Sequence, residues 1–335
     1  MQGARNGKRT APREMDGTVV VVTGASSGIG RATARLFAEH GARVVLAAGS
    51  EQTLREVAGE CEAVGGQALV VPTDVTDEKA VRGLARRGVE EFGRIDVWVN
   101  NAGVMVYGSF EEVPADVYQR VIETNLFGQI HGARAALSQF REQGGGVLIN
   151  MSSVWGRLTS PHVSAYVTSK FAIRAFSEWF RQELAGEEGI HVVTILPQSV
   201  NTPVFRQSGN YYGRAARAVP PVSSAEEVAD RILRCARDPR REVTEGRAGK
   251  LIEILHALAP GLYGKTLPYF FEWAVFTREP VEPGPGNVFE PLPEQNRTSD
   301  GWDETNTALW QAALAGGAAL AGVAGLAYAL LRRGR

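Results

Sequence analysis

Short apolar, β-branched runs alternate with longer amphipathic stretches through most of this chain. Strands are predicted at residues 18–23, 43–47, 68–72, 95–99, 146–151 and 190–196, with a short last one near 241–244. These runs are apolar throughout rather than alternating, which predicts strands covered on both faces, as in a parallel sheet. The segments between them carry helical periodicity. They follow the first strand up to Gly41, then cover Glu51–Val64, Asp77–Phe92, Pro114–Gln143, the stretch after Ser164, and Ser224–Arg237. Asp77 and Ser164 stand where helix N-caps are expected. Strands alternating with helices of this length predict an α/β fold, a doubly wound parallel sheet of about seven strands with helices on both faces.

In such a sheet the crossovers are right-handed and the strand C-termini share one edge, where ligands bind. Gly24–Gly30, Asp74, Asn101–Gly103, Ser153 and Pro197 all fall just after predicted strands. The first is a glycine-rich loop between a strand and a helix, where backbone amides and a helix N-terminus can receive a phosphate. Its spacing is G-x-x-x-G-x-G, not the G-x-G-x-x-G of the general dinucleotide fingerprint. A glycine loop by itself is more often a turn, and its place between strand and helix is what raises the binding reading. Tyr166 and Lys170 stand four residues apart on a predicted helix and so share a face. A cation beside a phenol lowers the phenol's pKa from about 10 and suits it to proton transfer. That pair alone is also common on solvated helices, and the strand-end residues are what give it context.

Together the motifs resemble those of the short-chain dehydrogenase/reductase family. They are TGASSGIG at 23–30, Asp74, NNAG at 100–103, Asn125, Ser153, and YxxxK at Tyr166–Lys170, with Ser153 thirteen residues before Tyr166. The resemblance covers about residues 17–245 and implies a Rossmann-type sheet. It further implies an NAD(P)-dependent enzyme that moves hydride between the nicotinamide and a carbonyl or alcohol carbon. On that resemblance Tyr166 is the general acid/base. Lys170 lowers its pKa and holds the ribose, Ser153 hydrogen-bonds the substrate oxygen, and Asn125 holds a water near Lys170. The expected cofactor contacts are Thr23, Gly24, Ser26, Ser27, Gly28, Ile29, Gly30, Ser50, Asp74, Val75, Asn101, Ala102, Gly103, Pro197 and Thr202, with Tyr166 and Lys170. At the end of the second strand, Ala48 and Gly49 stand where relatives carry the Asp that selects NAD or the Arg that selects NADP. With no carboxylate to repel a 2′-phosphate, and with Ser50 and Arg31 near, NADP is favoured over NAD. A second departure is Gln198 after Pro197, where many relatives have Gly. The segment after Thr202 is expected to be a mobile substrate loop, and its Phe205, Tyr211 and Tyr212 suggest a partly apolar substrate.

Composition excludes several alternatives. Lys plus Arg total 36 against 37 for Asp plus Glu, so nothing marks a nucleic-acid binder. Two cysteines make no disulfide framework, and five scattered histidines offer no metal-ligand spacing, so no metal is expected. Residues 1–16 are polar and basic and read as a disordered arm rather than a signal. After the 17–245 catalytic domain, residues 246–278 read as an apolar helical extension, either a layer over the substrate pocket or an interfacial segment. Residues 279–306 are Pro-, Glu- and Asn-rich and read as a linker. Residues 307–331 read as a membrane helix, about 36 Å long against a hydrocarbon core of about 30 Å, followed by the basic tail 332–335. Small residues at Ala313, Gly317, Ala321 and Gly325 fall on one face of that helix. The expected arrangement is a C-terminal single-pass anchor with the catalytic domain facing the cytoplasm, although Arg332, Arg333 and Arg335 are flank charges of the opposite preference. The expected partners are a small carbonyl or alcohol substrate, the membrane, and further copies in a homodimer or homotetramer. The competing reading is a non-catalytic dinucleotide-binding scaffold or redox sensor at a membrane. The set Asn125, Ser153, Tyr166 and Lys170 speaks against it.

Overall fold

The computed structural model describes residues 14–245, 258 and 260–302. Its centre is a seven-stranded parallel sheet in the order β3-β2-β1-β4-β6-β7-β12. The strands are β1 (Val19–Thr23), β2 (Arg43–Ala48), β3 (Gln67–Pro72), β4 (Val97–Asn100), β6 (Gly146–Met151), β7 (Ile190–Leu196) and β12 (Glu242–Thr244). Every residue of β1, β4 and β6 is buried, which is why their sequences run apolar without alternation. Val21 pairs with Val45 on one side and Trp98 on the other. The chain winds outward from β1 through β2 to β3, then returns to β4 on the opposite side of β1. The strand order therefore reverses between β1 and β4, and the cleft beyond their C-termini is where a doubly wound sheet binds its ligand.

Helices cover both faces. On one, α1 (Gly28–Glu39), α2 (Glu51–Ala63) and α8 (Ala225–Arg237) bury Phe37, Leu54 and Ile232. On the other, α3 (Glu78–Phe92), α5 (Gly128–Gln143) and α6 (Ser164–Glu183) bury Leu84, Phe140 and Phe180. Their ends follow ordinary capping rules. The Asp77 carboxylate accepts from the Lys79 amide at 2.8 Å, and Ser224 with Glu227 closes a capping box on α8. Ser164 is not a cap. Val163 takes that place and Ser164 is the first helical residue.

The expected single helix over 114–143 is two helices. A π-turn at Glu123–Phe127 separates α4 (Ala115–Ile122) from α5. It holds Asn125, and such interruptions gather at functional sites. The short strands β5 (Val106–Tyr107) and β9 (Gly209–Asn210) pair beside the cleft, as do β8 (Ser199–Val200) and β11 (Val222–Ser223). Strand β10 (Arg214–Ala216) pairs antiparallel with β13 (Phe276–Pro280).

The two chain ends differ from expectation. Met15 is 1% exposed and packs with the first core cluster, so the folded domain takes in the last residues assigned to the arm. Residues 279–302 are no linker. After α9 (Pro260–Val275) and β13, the chain runs back across the molecule as a strap. It bridges Asn210 to Gly284, buries Val288 and ends with Asp300 buried beneath Arg206. Prolines and charges hide this in the sequence, because the strap bonds to loops and follows no helical or strand period. Among the described residues no helix is long and apolar enough to cross a membrane. The run at 307–331 lies outside the described residues.

Candidate active site

A cavity of about 650 Å³ opens along the C-terminal edge of the sheet. One end is walled by the glycine loop. Gly24 sits at φ +65°, and a Cβ on Gly30 would fall 2.1 Å from the Gly24 carbonyl oxygen, so neither position admits a side chain. Thr23 and Asn101 brace this loop from behind. The Thr23 hydroxyl accepts from the amides of Asn101 and Ala102 at 3.0 and 3.1 Å, and the Asn101 amide group donates to the carbonyls of Thr23 and Gly24. Ser26, Ser27, Gly28 and Ile29 line the cavity from the loop and the start of α1, and Asn101, Ala102 and Gly103 from the end of β4. Asp74 and Val75 line it from the end of β3. The Asp74 carboxylate accepts from the Thr76 amide and from Arg120 at 2.7 Å. Burial opposes its ionisation, but these donors outweigh it and hold its pKa below the usual range.

The middle of the cavity carries the polar residues expected to do chemistry. Ser153 caps the short 3₁₀ turn Val154–Gly156, its hydroxyl accepting from the Trp155 amide at 3.2 Å, and it lines the cavity together with Tyr166, whose phenolate it favours. Lys170 is 4% exposed, and its Nζ donates to the Met151 carbonyl at 2.9 Å while lying 5.3 Å from the centre of the Tyr166 ring. The lowered phenol pKa expected from the helical spacing is absent. Burial pushes Tyr166 up to about 12, with the Ser153 hydrogen bond pulling the other way, and burial pushes Lys170 down to about 7. Desolvation penalises the charged form of each group and is the leading cause of both shifts. Asn125 lies behind this wall, fully buried. Its side chain bonds both backbone groups of Val104 and donates to the Ser169 hydroxyl. Pro197 and Thr202 complete the middle. Gln198 adopts no left-handed conformation, so glycine is not required there.

Ser50 does not face the cavity. Its hydroxyl caps α2 through Thr53. Arg31 is also engaged. Its guanidinium pairs with Glu60 at 2.5 and 3.1 Å and donates to the Asn296 carbonyl of the strap. Both groups that the sequence offers to a 2′-phosphate are thus already committed.

The far end is apolar. Met105, Tyr107, Trp155 and Leu158 meet Leu267, Phe270 and Phe271 of α9. Burial drives the Tyr107 phenol above its usual pKa. The α9 contribution agrees with one reading of the apolar extension, a layer over the pocket. Two contributors went unforeseen. Arg120 sits inside an ordinary amphipathic helix and gives no signal. The strap residues Asn287–Leu292 and Asn296 line the cavity, with Pro291 packed beside Gly49.

A glycine-walled notch at the sheet's reversal point, leading to paired hydroxyls beside a buried lysine, fits a dinucleotide at one end and a reacting group at the other. That combination defines the class of nicotinamide-dependent oxidoreductases. A family model described as short chain dehydrogenase matches residues 18–212, and the chain belongs to that family. Among curated relatives, an uncharacterized oxidoreductase, YxnA of Bacillus subtilis, is 35% identical over 274 residues, spanning 81% of this chain and 77% of that one. Dehydrogenase/reductase SDR family member 7B of Mus musculus is 32% identical over 254 residues, spanning 73% and 78%. Among solved structures, a Burkholderia phymatum short chain dehydrogenase/reductase in complex with NAD matches with TM-score 0.67 at 27% identity, covering 75% of this chain and 96% of that one. The alcohol dehydrogenase of Thermococcus sibiricus complexed with 5-hydroxy-NADP matches with TM-score 0.59 at 27% identity, covering 68% and 95%. The protein is an oxidoreductase of the short-chain dehydrogenase/reductase type.

Proposed function

We propose that this enzyme interconverts a carbonyl and an alcohol on a hydrophobic substrate, with Tyr166 moving the proton. The observation that carries this reading is that Ser153, Tyr166 and the buried Lys170 line one cavity where a glycine-lined notch meets an aromatic pocket. The bound nicotinamide supplies or accepts the hydride. In the reductive direction Ser153 donates to the substrate oxygen and stabilises the charge developing there. The Tyr166 phenol, protonated throughout the neutral range, gives its proton to that oxygen. Lys170 holds the ribose hydroxyls and, when charged, stabilises the phenolate left behind. Asn125 fixes the backbone of Val104 at the cavity wall and positions the proton path.

The cofactor is a nicotinamide dinucleotide held by the glycine loop, Asp74, Val75, the 101–103 turn and Thr202. NADP remains the reading of Ala48 and Gly49 alone. The pairing of Arg31 with Glu60 favours NAD, because it withdraws the cation that the sequence offers to a 2′-phosphate. Exposed Phe127, Phe171 and Trp179 support self-association into a homodimer or homotetramer. The apolar run 307–331 supports a single-pass anchor with the catalytic domain in the cytoplasm. Recovery of the protein in the soluble fraction after carbonate extraction would refute the anchor.

The deciding experiment screens hydrophobic ketones and alcohols with NADH/NAD and NADPH/NADP in parallel. Tyr166→Phe should lower kcat by at least about a hundredfold, the scale of general acid–base catalysis, while cofactor still binds. Turnover that survives this change would sink the mechanism.

A further inference from the structure

Helix α9 is apolar on both sides. Its inner face buries Phe271, Ala274 and Val275 against the cleft. Its outer face exposes Tyr269 (78%), Phe270 (44%) and Trp273 (48%), and Leu258 just before it is 79% exposed. A helix facing water carries polar residues outward, as α3 does with its Glu78–Arg82 and Arg86–Glu90 pairs. On α9 the outward charges are few. Lys265 stands one turn before Tyr269, and Glu272 lies 3.5 Å from His162.

Two further observations say what covers this face. First, Phe270 is half exposed and also lines the catalytic cavity, as does exposed Phe289, so the apolar end of the cavity opens beside the aromatic surface. Second, the described chain ends at Trp302, one side chain removed from the cluster that α9 completes. Trp302 packs edge-on to Phe205 at 6.0 Å, and Phe205 belongs to the cluster that contains Phe271 and Val275. Ala308, the first residue of the long apolar run, lies six residues on. Six extended residues span at most about 20 Å, so an inserted run would hold a bilayer surface within that distance of Trp302, on the side of the molecule where Phe205 joins the α9 cluster.

We infer that the outer face of α9 docks on a lipid bilayer and that the substrate is a lipophilic alcohol or carbonyl entering from the bilayer past Phe270. The nearness of the bilayer rests on the anchored reading above, whereas the aromatic outer face of α9 stands without it. Trp and Tyr at headgroup depth, with a Lys beside them, are what an interfacial helix presents.

The test uses the full chain in phosphatidylcholine nanodiscs carrying doxyl-labelled lipid, with an environment-sensitive fluorophore on single introduced cysteines. Cys61 and Cys235 are buried, and burial pushes their thiols up to about 12 and about 11, so they stay unlabelled near neutral pH. The label positions are Trp273→Cys on α9, Leu320→Cys in the apolar run and Arg86→Cys on α3 as the water-facing control. Tyr269→Cys replaces the first if that variant does not fold. Docking predicts at least twofold quenching at 273 and 320 and none at 86. Quenching at 320 with none at 273 overturns docking and leaves the anchor standing. Quenching at 273 with none at 320 supports docking and removes the anchor. No quenching at either overturns both.

Discussion

Lys170 offers the most quantitative test of the site. The residue is 4% exposed, and burial lowers the pKa of its amine from the ordinary 10.5 to about 7. The folded state therefore binds fewer protons than the unfolded chain between those values, and stability must rise with pH across that window. Its contribution is fully present above the unfolded value and is lost as pH falls through 7. The whole shift is worth about 5 kcal/mol at 1.36 kcal/mol per unit. Only part of the window is clean. Cys61 and Cys235 keep their protons in the fold, pushed up to about 12 and about 11, so they oppose the trend once unfolded thiols ionise near pH 9. Between pH 7 and 8.5 integrating the linkage gives about 1.6 kcal/mol of added stability from Lys170, of which the two thiols take back about 0.3, a net rise of about 1.3 kcal/mol. The perturbation is Lys170→Met. It leaves the Met151 carbonyl satisfied, because Gln129 also donates to it at 3.0 Å. Urea midpoints at the two pH values, at constant ionic strength and with the same detergent, should rise in the parent protein and fall slightly, by about 0.3 kcal/mol, in the variant. A parent protein flat within about 0.3 kcal/mol, or a variant keeping the full rise, would refute the assignment of a displaced buried amine.

Three other expectations follow from named contacts. Glu60→Gln frees the Arg31 guanidinium and should tighten NADPH binding about tenfold relative to NADH, read by parallel fluorescence titrations of the two cofactors. Asp300→Ala leaves Arg206 and Arg297 without their shared carboxylate, and loss of one buried charge-assisted network, about 1–3 kcal/mol, should raise the NADH dissociation rate about tenfold or more in stopped flow. Gly30→Val should abolish cofactor binding, since its side chain would strike the Gly24 carbonyl, and a dissociation constant within about twofold of the parent's would contradict the loop geometry.

The centre of the sheet was legible because β1, β4 and β6 are buried on both faces and so read as unbroken apolar runs. Met15, by contrast, is one buried residue in a polar run, which no period reveals. The rim residues were legible as motifs because each stands immediately after a strand, and fifteen of the expected positions do line the cleft. Thr23, Gly30, Ser50 and Asn125 stand behind it, where they shape its walls. Spacing placed Tyr166 and Lys170 on one face but could not report burial, and burial governs their protonation. The strap was illegible for a different reason. Its hydrogen bonds reach Gln207, Asn201 and Gly28, partners dozens to hundreds of residues away, and no local pattern encodes them.

The Arg297 carbonyl accepts from the Gly28 amide at 2.9 Å, so the strap closes directly on the glycine loop. The strap is thus a roof tied to the very loop it covers, and the Asp300 carboxylate, gripped by Arg206 and Arg297, is its last fastening among the described residues. A coenzyme lodged beneath it would leave no faster than that fastening opens, so the exchange rate becomes a readout of a single carboxylate.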